Sequence, residues 1–137
     1  MLDVSFDADW VRTVLHVLSV SVWLGGQIVM LGLLPALRSL QDEEAPRAAA
    51  RAFGHVAWPA FGVAVATGIW NLLAVDVAEA TGAYNAVFGV KLLLVVVSGA
   101  AAALHQSTPS RAVRGVTGGV GFVAAFGAFA LGIAMAH

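Results

Sequence analysis

The fold is decided by residues 10–37, which read WVRTVLHVLSVSVWLGGQIVMLGLLPAL. After Arg12 this stretch contains no Asp, Glu, Lys or Arg until Arg38 follows it. A helix needs about 20 apolar residues to cross a hydrocarbon core about 30 Å thick, because each residue advances it by about 1.5 Å. Residues 10–37 are therefore predicted to form a membrane-spanning helix.

Three more apolar stretches of sufficient length follow, at residues 53–75, 84–105 and 113–137. Of the 137 residues, 60% are hydrophobic and 11% are charged, whereas soluble domains average about half apolar and about a quarter charged. Short linkers make consecutive helices antiparallel. We therefore predict an all-α integral membrane four-helix up-down bundle, a single domain over residues 1–137, surrounded by the lipid bilayer.

The remaining composition excludes several classes of function. The formal net charge is −1 and there is no long basic run, so the chain lacks the positive surface of a nucleic-acid-binding protein. There is no Cys, which excludes disulfides, thiolate metal ligands and Cys nucleophiles. The N-terminus carries Asp3, Asp7 and Asp9 instead of the basic segment of a signal peptide, so the first span is predicted to be retained.

The charged residues also predict an orientation in the cell membrane. The first and third linkers carry Arg38, Arg47, Arg51, Arg111 and Arg114. The N-terminus and the second linker carry five acidic residues, and Arg12 is their one basic residue. Because Lys and Arg favour the cytoplasmic side, the first and third linkers are predicted to be cytoplasmic and both termini to lie outside.

Polar and small side chains inside the spans form stripes with helical spacing. The stripe on the first span contains His16, Ser19, Trp23, Gln27 and Met30. The stripes on the second and third spans contain His55, Pro59, Gly62 and Ala66, and Lys91, Ser98 and His105. Each stripe lies on one helix face and is predicted to face protein. On the fourth span, Gly115 and Gly119 form a small-xxx-small pattern that favours close helix packing, self-association or membership of a larger complex.

Depth in the membrane groups the ionisable residues into two levels. Counted from the span midpoints, His16 lies roughly 12 Å and Lys91 roughly 6 Å toward the outer face. His55 and His105 lie roughly 12 to 15 Å toward the cytoplasm. We therefore predict an outer pair, His16 with Lys91, and an inner pair, His55 with His105, and no small site that uses both His16 and His55.

Lys91 is the one Lys, Arg, Asp or Glu residue predicted to lie well inside a span. Burial of its ammonium there costs at least about 2.5 kcal/mol. No Asp or Glu occurs at matching depth. Four explanations stay open: a neutral amine, a carboxylate on a ligand, a side chain that reaches the outer interface, or an acid of a partner subunit. Enzyme activity is left undetermined, and Lys91 is the candidate acid or base if there is one.

Neutral imidazole binds both haem iron and copper, so the histidines inside the spans are candidate ligands. The candidate metal ligands are His16, His55 and His105, with His16 favoured. The candidate cofactor-binding residues are His16, Trp23, Lys91, His55 and His105. Trp23, on the same face as His16, either walls a flat cofactor or fills the core. Met30 is predicted to serve in packing, with a copper thioether ligand as the alternative.

The first three spans resemble the copper resistance D (CopD) membrane domain and the related HemJ-type protoporphyrinogen oxidases. In the first span the resemblance lies in His16, VWLGG at residues 22–26 and LPALR at residues 34–38. In the second span it lies in RAFGH at residues 51–55 and ATGI at residues 66–69. In the third it lies in VKLLL at residues 90–94, with His105 near the end of the span. The fourth span carries no motif.

The resemblance implies copper handling in the first group, and b-type haem with porphyrin oxidation in the second. In the second group the first-helix histidine and the third-helix lysine are functional, and these roles carry over to His16 and Lys91. We therefore expect haem b as the cofactor and a redox or electron-transfer role. The alternatives are copper handling, with His16, Met30 and His55 as ligands, and a structural subunit without a cofactor.

Overall fold

The structure, a computed structural model, describes residues 4–137 as four α-helices joined by short loops. Helix α1 spans Ala8–Arg38, α2 spans Glu44–Ala74, α3 spans Gly82–Ser107 and α4 spans Arg111–Met135. No strand occurs in residues 4–137. All four helices are long and apolar enough to cross a membrane. The prediction of an all-α, multi-pass membrane protein is confirmed; Asp3 of the acidic N-terminus lies outside the described residues.

Helix α2 begins at Glu44, nine residues before the predicted span at 53–75. Residues 44–51 were predicted to belong to a linker, and that prediction is wrong. Pro46 lies in the first turn of the helix, where backbone N–H groups have no intrahelical acceptor. The lack of an N–H on proline therefore costs no hydrogen bond there. Residues 48–50 are all Ala, the strongest helix former, so the helix continues through them. The loop between α1 and α2 is thereby reduced to residues 39–43.

In three of the helices the side chain of the residue directly before the helix accepts a backbone N–H of the first turn. The capping residues are Asp7 for α1, Thr81 for α3 and Ser110 for α4. The Asp7 carboxylate accepts the Trp10 N–H at 2.9 Å, and this hydrogen bond lowers the pKa of Asp7 below its usual 3.8. The cap is therefore present at neutral pH and is lost only as the pH falls through that lowered pKa.

The chain forms two compact units, one that ends at Val75 and one that spans Asp76–His137. In the first unit α1 packs against α2, and in the second α3 packs against α4. Along each pair the contacts run in opposite directions, as short loops require, so each pair is an antiparallel hairpin. We call them hairpin 1 and hairpin 2. The turn end of a hairpin holds the loop between its two helices, and the open end is the opposite one.

The predicted stripe on α1 is the least exposed face of that helix. Ser19 and Trp23 are buried, and the other three members are half-buried. Trp23 packs against two aromatic rings of α2, with centroid distances of 5.3 Å to Trp58 and 4.5 Å to Phe61. These contacts explain an indole deep inside a span, and they confirm that the stripe faces protein.

The predicted stripe on α2 lies on a face of the helix that does not contact α1, and its orientation toward other protein stays a prediction. All four of its members, His55, Pro59, Gly62 and Ala66, are exposed. The residues of α2 that contact α1 include Phe53, Trp58, Phe61, Thr67, Gly68 and Trp70. Small residues occur on every side of α2, so small size alone does not select a face.

Hairpin 2 packs through small residues of α4, but not through the predicted pair. A methyl group at Gly115 or Gly119 would meet no atom within 4 Å, and both glycines are exposed. The glycines that lie against α3 are Gly118, Gly121, Gly127 and Gly132, opposite His105, Ala101, Leu94 and Lys91 respectively. The fourth helix is therefore a close-packing helix, as predicted, with its contact face turned away from Gly115 and Gly119.

Candidate functional site

His16 lies near the open end of hairpin 1 and is held by a side chain of α2. Its Nδ1 is 2.8 Å from Oγ1 of Thr67, which is only 4% exposed. The Thr67 hydroxyl is in turn 2.7 Å from the backbone oxygen of Val63. A methyl group at Gly68 would touch the ring at Cε1, at 3.7 Å, so the imidazole lies beside the α2 backbone. The orientation of His16 is fixed by a neighbouring helix.

Arg12 lies one helical turn from His16, toward the open end. Its guanidinium pairs with Asp9 at 2.9 Å and lies 5.9 Å from the centre of the Trp70 ring. The side chain is 13% exposed, and its Nε has no hydrogen-bond partner among residues 4–137. Cations over indole faces gain favourable electrostatic energy, more so when they are removed from water. A largely buried cation therefore lies one turn from His16, and Arg12 was not among the predicted site residues.

His55 is separated from His16 along hairpin 1. It is exposed on α2, twelve residues before the Thr67 that contacts His16. At about 1.5 Å per residue, this corresponds to about 18 Å along the helix axis. The two histidines therefore do not approach a single small site, in agreement with the depth estimate.

His105 ties α3 to α4 at the turn end of hairpin 2. Its Nδ1 is 2.7 Å from the backbone oxygen of Arg114, to which it donates. The ring lies against Gly118, where a methyl group would be 3.1 Å from Nδ1. The Arg114 guanidinium donates to the backbone oxygen of Thr108 at 2.8 Å, in the loop between the same two helices. His105 thus has a structural role in joining the two helices.

Lys91 lies near the open end of hairpin 2, fourteen residues from His105 on α3. It is half-buried, and a methyl group at Gly132 would lie 3.2 Å from its Nζ. Gly132 is in the last turn of α4, where the unpaired carbonyl groups carry partial negative charge. Lys91 has no ion pair with any of residues 4–137. Gly132 therefore leaves space for the ammonium beside a helix C-terminus.

The predicted pairs of His16 with Lys91 and of His55 with His105 each take one residue from each hairpin, and they stay predictions. The same holds for Lys91 as a catalytic acid or base.

We expect Lys91→Met to be at least as stable as the wild-type protein, and up to about 2.5 kcal/mol more stable, because an ammonium inside the membrane is costly. Stability is measured by SDS-induced unfolding of the purified protein in micelles. Lys91→Arg, which keeps the charge, is the matched control and is expected to give no gain. A loss of stability in Lys91→Met with none in Lys91→Arg would mean that the ammonium holds hairpin 2 together.

The fold defines the class of this protein as a multi-pass α-helical membrane protein. Within residues 4–137, no three or more His, Asp or Glu side chains are grouped so that they could hold a metal ion. Comparisons of the chain with protein-family models, with curated proteins and with solved structures gave no match. The fixed histidine of hairpin 1 is therefore the feature of this protein that bears most directly on its function.

Proposed function

We propose that this protein binds haem b in the membrane, where His16 would hold the iron, and has a redox or electron-transfer role. The observation that supports it is the contact between His16 and Thr67, which orients an imidazole from a neighbouring helix. Porphyrin supplies four of the iron ligands, so the protein needs to add only one or two. One well-oriented histidine is sufficient for this chemistry.

The residues around His16 fit such a ligand. The ring of a haem is flat and apolar and its propionates are anionic, so it needs an apolar wall and a cation. Arg12 provides a cation one turn from His16 in the same hairpin. Trp58 and Phe61 of α2, which pack on the buried Trp23, are half-buried and provide apolar surface in the same hairpin. Bound haem would supply one-electron chemistry, and these residues would hold and orient it.

The resemblance to CopD and HemJ-type proteins supports the same proposal. Two of its short patterns, the one that begins at His16 on α1 and ATGI on α2, come together in hairpin 1. Thr67 and Gly68, the residues of ATGI that contact His16, are the two middle residues of that pattern. We propose membership of this group, and the HemJ-type branch accounts best for a single fixed histidine.

The decisive experiment is an absorption spectrum of the protein purified in mild detergent from a haem-replete host. We expect a Soret band, sharp α and β bands after reduction, and about one haem per chain. A colourless protein with stoichiometric copper by elemental analysis would overturn haem binding in favour of copper handling. A protein with neither would support the structural subunit.

We further propose that both termini lie outside the cell membrane, because the arginines of the first and third linkers favour the cytoplasm. Alkaline phosphatase fused after His137 is expected to be active, since it folds only outside the cytoplasm. Green fluorescent protein fused at the same place is expected to be dark. The opposite pattern would invert the orientation.

A further inference from the structure

We propose that Thr67 is a positioning residue that keeps the proton of His16 on Nδ1 and so assigns metal coordination to Nε2. The assignment of metal coordination to Nε2 rests on the proposed function. The tautomer does not, because it follows from the hydrogen-bond partners of the Thr67 hydroxyl. Thr67 is only 4% exposed, so its hydrogen bond with His16 is shielded from water.

The order of protons follows from the partners of the Thr67 hydroxyl. Its oxygen lies 2.7 Å from the backbone oxygen of Val63 and 3.2 Å from that of Ala64. Backbone oxygens only accept, so the single hydroxyl proton points toward them. Oγ1 can then only accept from His16, whose Nδ1 lies 2.8 Å away. If Thr67 donated to His16 instead, two oxygens would face each other at 2.7 Å with no proton between them.

The location of this proton decides which nitrogen is available for a metal. A neutral imidazole carries one N–H, so a proton on Nδ1 leaves the lone pair on Nε2. Donation from the second ring nitrogen also raises the basicity of a metal-binding histidine and fixes its ring orientation. A hydroxyl acceptor does this without a negative charge, so the ligand stays a neutral imidazole. Thr67 thereby acts on the metal through His16.

Two substitutions separate this role from simple packing. Thr67→Val keeps the shape and removes the acceptor, whereas Thr67→Ser keeps the hydroxyl and removes a methyl group. The first readout is the ring ¹⁵N NMR spectrum of His16 in protein prepared without haem. We expect protonated Nδ1 and unprotonated Nε2 in the wild type and in Thr67→Ser. In Thr67→Val we expect a mixture of tautomers or the Nε2–H form.

The second readout is haem affinity, measured by titrating the same protein with haem. Loss of a side chain that orients a metal ligand typically weakens binding by about 10- to 100-fold, and we expect Thr67→Val to fall in this range. Thr67→Ser is expected to remain within a few-fold of the wild type. If Thr67→Val does not fold, Thr67→Ala, which also lacks the hydroxyl, takes its place.

The outcomes distinguish this inference from the proposed function. An Nε2–H tautomer in the wild type, or an unchanged tautomer in Thr67→Val, overturns the role of Thr67 even if haem binds. An ordered Nδ1–H tautomer that is lost in Thr67→Val, in a protein that binds no haem, supports the role of Thr67 and overturns the proposed function. Both effects together support both.

Discussion

Purified His16→Gly protein is expected to lack the haem Soret band, and added imidazole is expected to restore it. Glycine leaves a gap beside Thr67 and Gly68 where the ring lies in the wild type. Free imidazole can fill such a gap and bind iron through its own nitrogen. Haem per chain is measured from the pyridine haemochrome spectrum, and we expect at least a 10-fold drop before imidazole is added.

His55→Ala tests the competing assignment in the same assay. His55 is exposed and about 18 Å from His16 along hairpin 1, so its loss is expected to leave haem content unchanged. If His55→Ala lost haem and His16→Gly kept it, the ligand would lie at the turn end and the assignment to His16 would be wrong. Restoration by imidazole guards against the trivial case of a misfolded variant.

Gly26→Ala is expected to destabilise hairpin 1, whereas Gly25→Ala is expected to be neutral or stabilising. A methyl group at Gly26 would overlap the ring of Phe53, whose Cζ would be 2.9 Å away, whereas one at Gly25 would meet no atom within 4 Å. Overpacking of this kind typically costs about 1–3 kcal/mol. Gly to Ala in an open helix position gains up to about 1 kcal/mol. SDS-induced unfolding in micelles measures both variants.

A double-mutant cycle links the loss to Phe53. In a Phe53→Ala background the ring is absent, so Gly26→Ala is expected to cost little or nothing, and the two substitutions are expected to be strongly non-additive. Equal losses for Gly26→Ala in both backgrounds would mean that another contact, and not Phe53, requires the glycine. Such a result would also weaken the assignment of Phe53 to the face of α2 that contacts α1.

Hydropathy predicted the four helices and helical spacing predicted the polar stripe of α1, because each depends on one strong pattern. The first span is apolar over its whole length, and its polar residues fall on one side. On α3, the stripe of Lys91, Ser98 and His105 was predicted to face protein, and it lies on the side that packs against α4. The face of α2 was not predictable in this way. Its contacts with α1 use aromatic residues and Thr67, whereas the selected stripe used small residues, which occur on all sides.

The candidate site was predicted only in its central residue. His16 stood out as an ionisable residue inside a span, but Thr67 did not, because a threonine in an apolar helix usually bonds to its own backbone. Thr67 does so here, through Val63, and this bond directs its second hydrogen bond toward His16. The contact between Gly132 and Lys91 was also not predicted. Helix α4 carries no motif, and a glycine in it does not indicate which residue lies opposite.

The division into two hairpins has a consequence for how the chain enters the membrane. In hairpin 1, His16 meets its hydrogen-bond partner on the very next helix, and in hairpin 2, His105 does the same. A polar group without a hydrogen-bond partner costs about several kcal/mol in hydrocarbon, because it has lost its water. A translocon that releases consecutive helices in pairs would therefore deliver each pair with these imidazoles already shielded. The two histidines would then not delay lateral transfer of the helices into lipid.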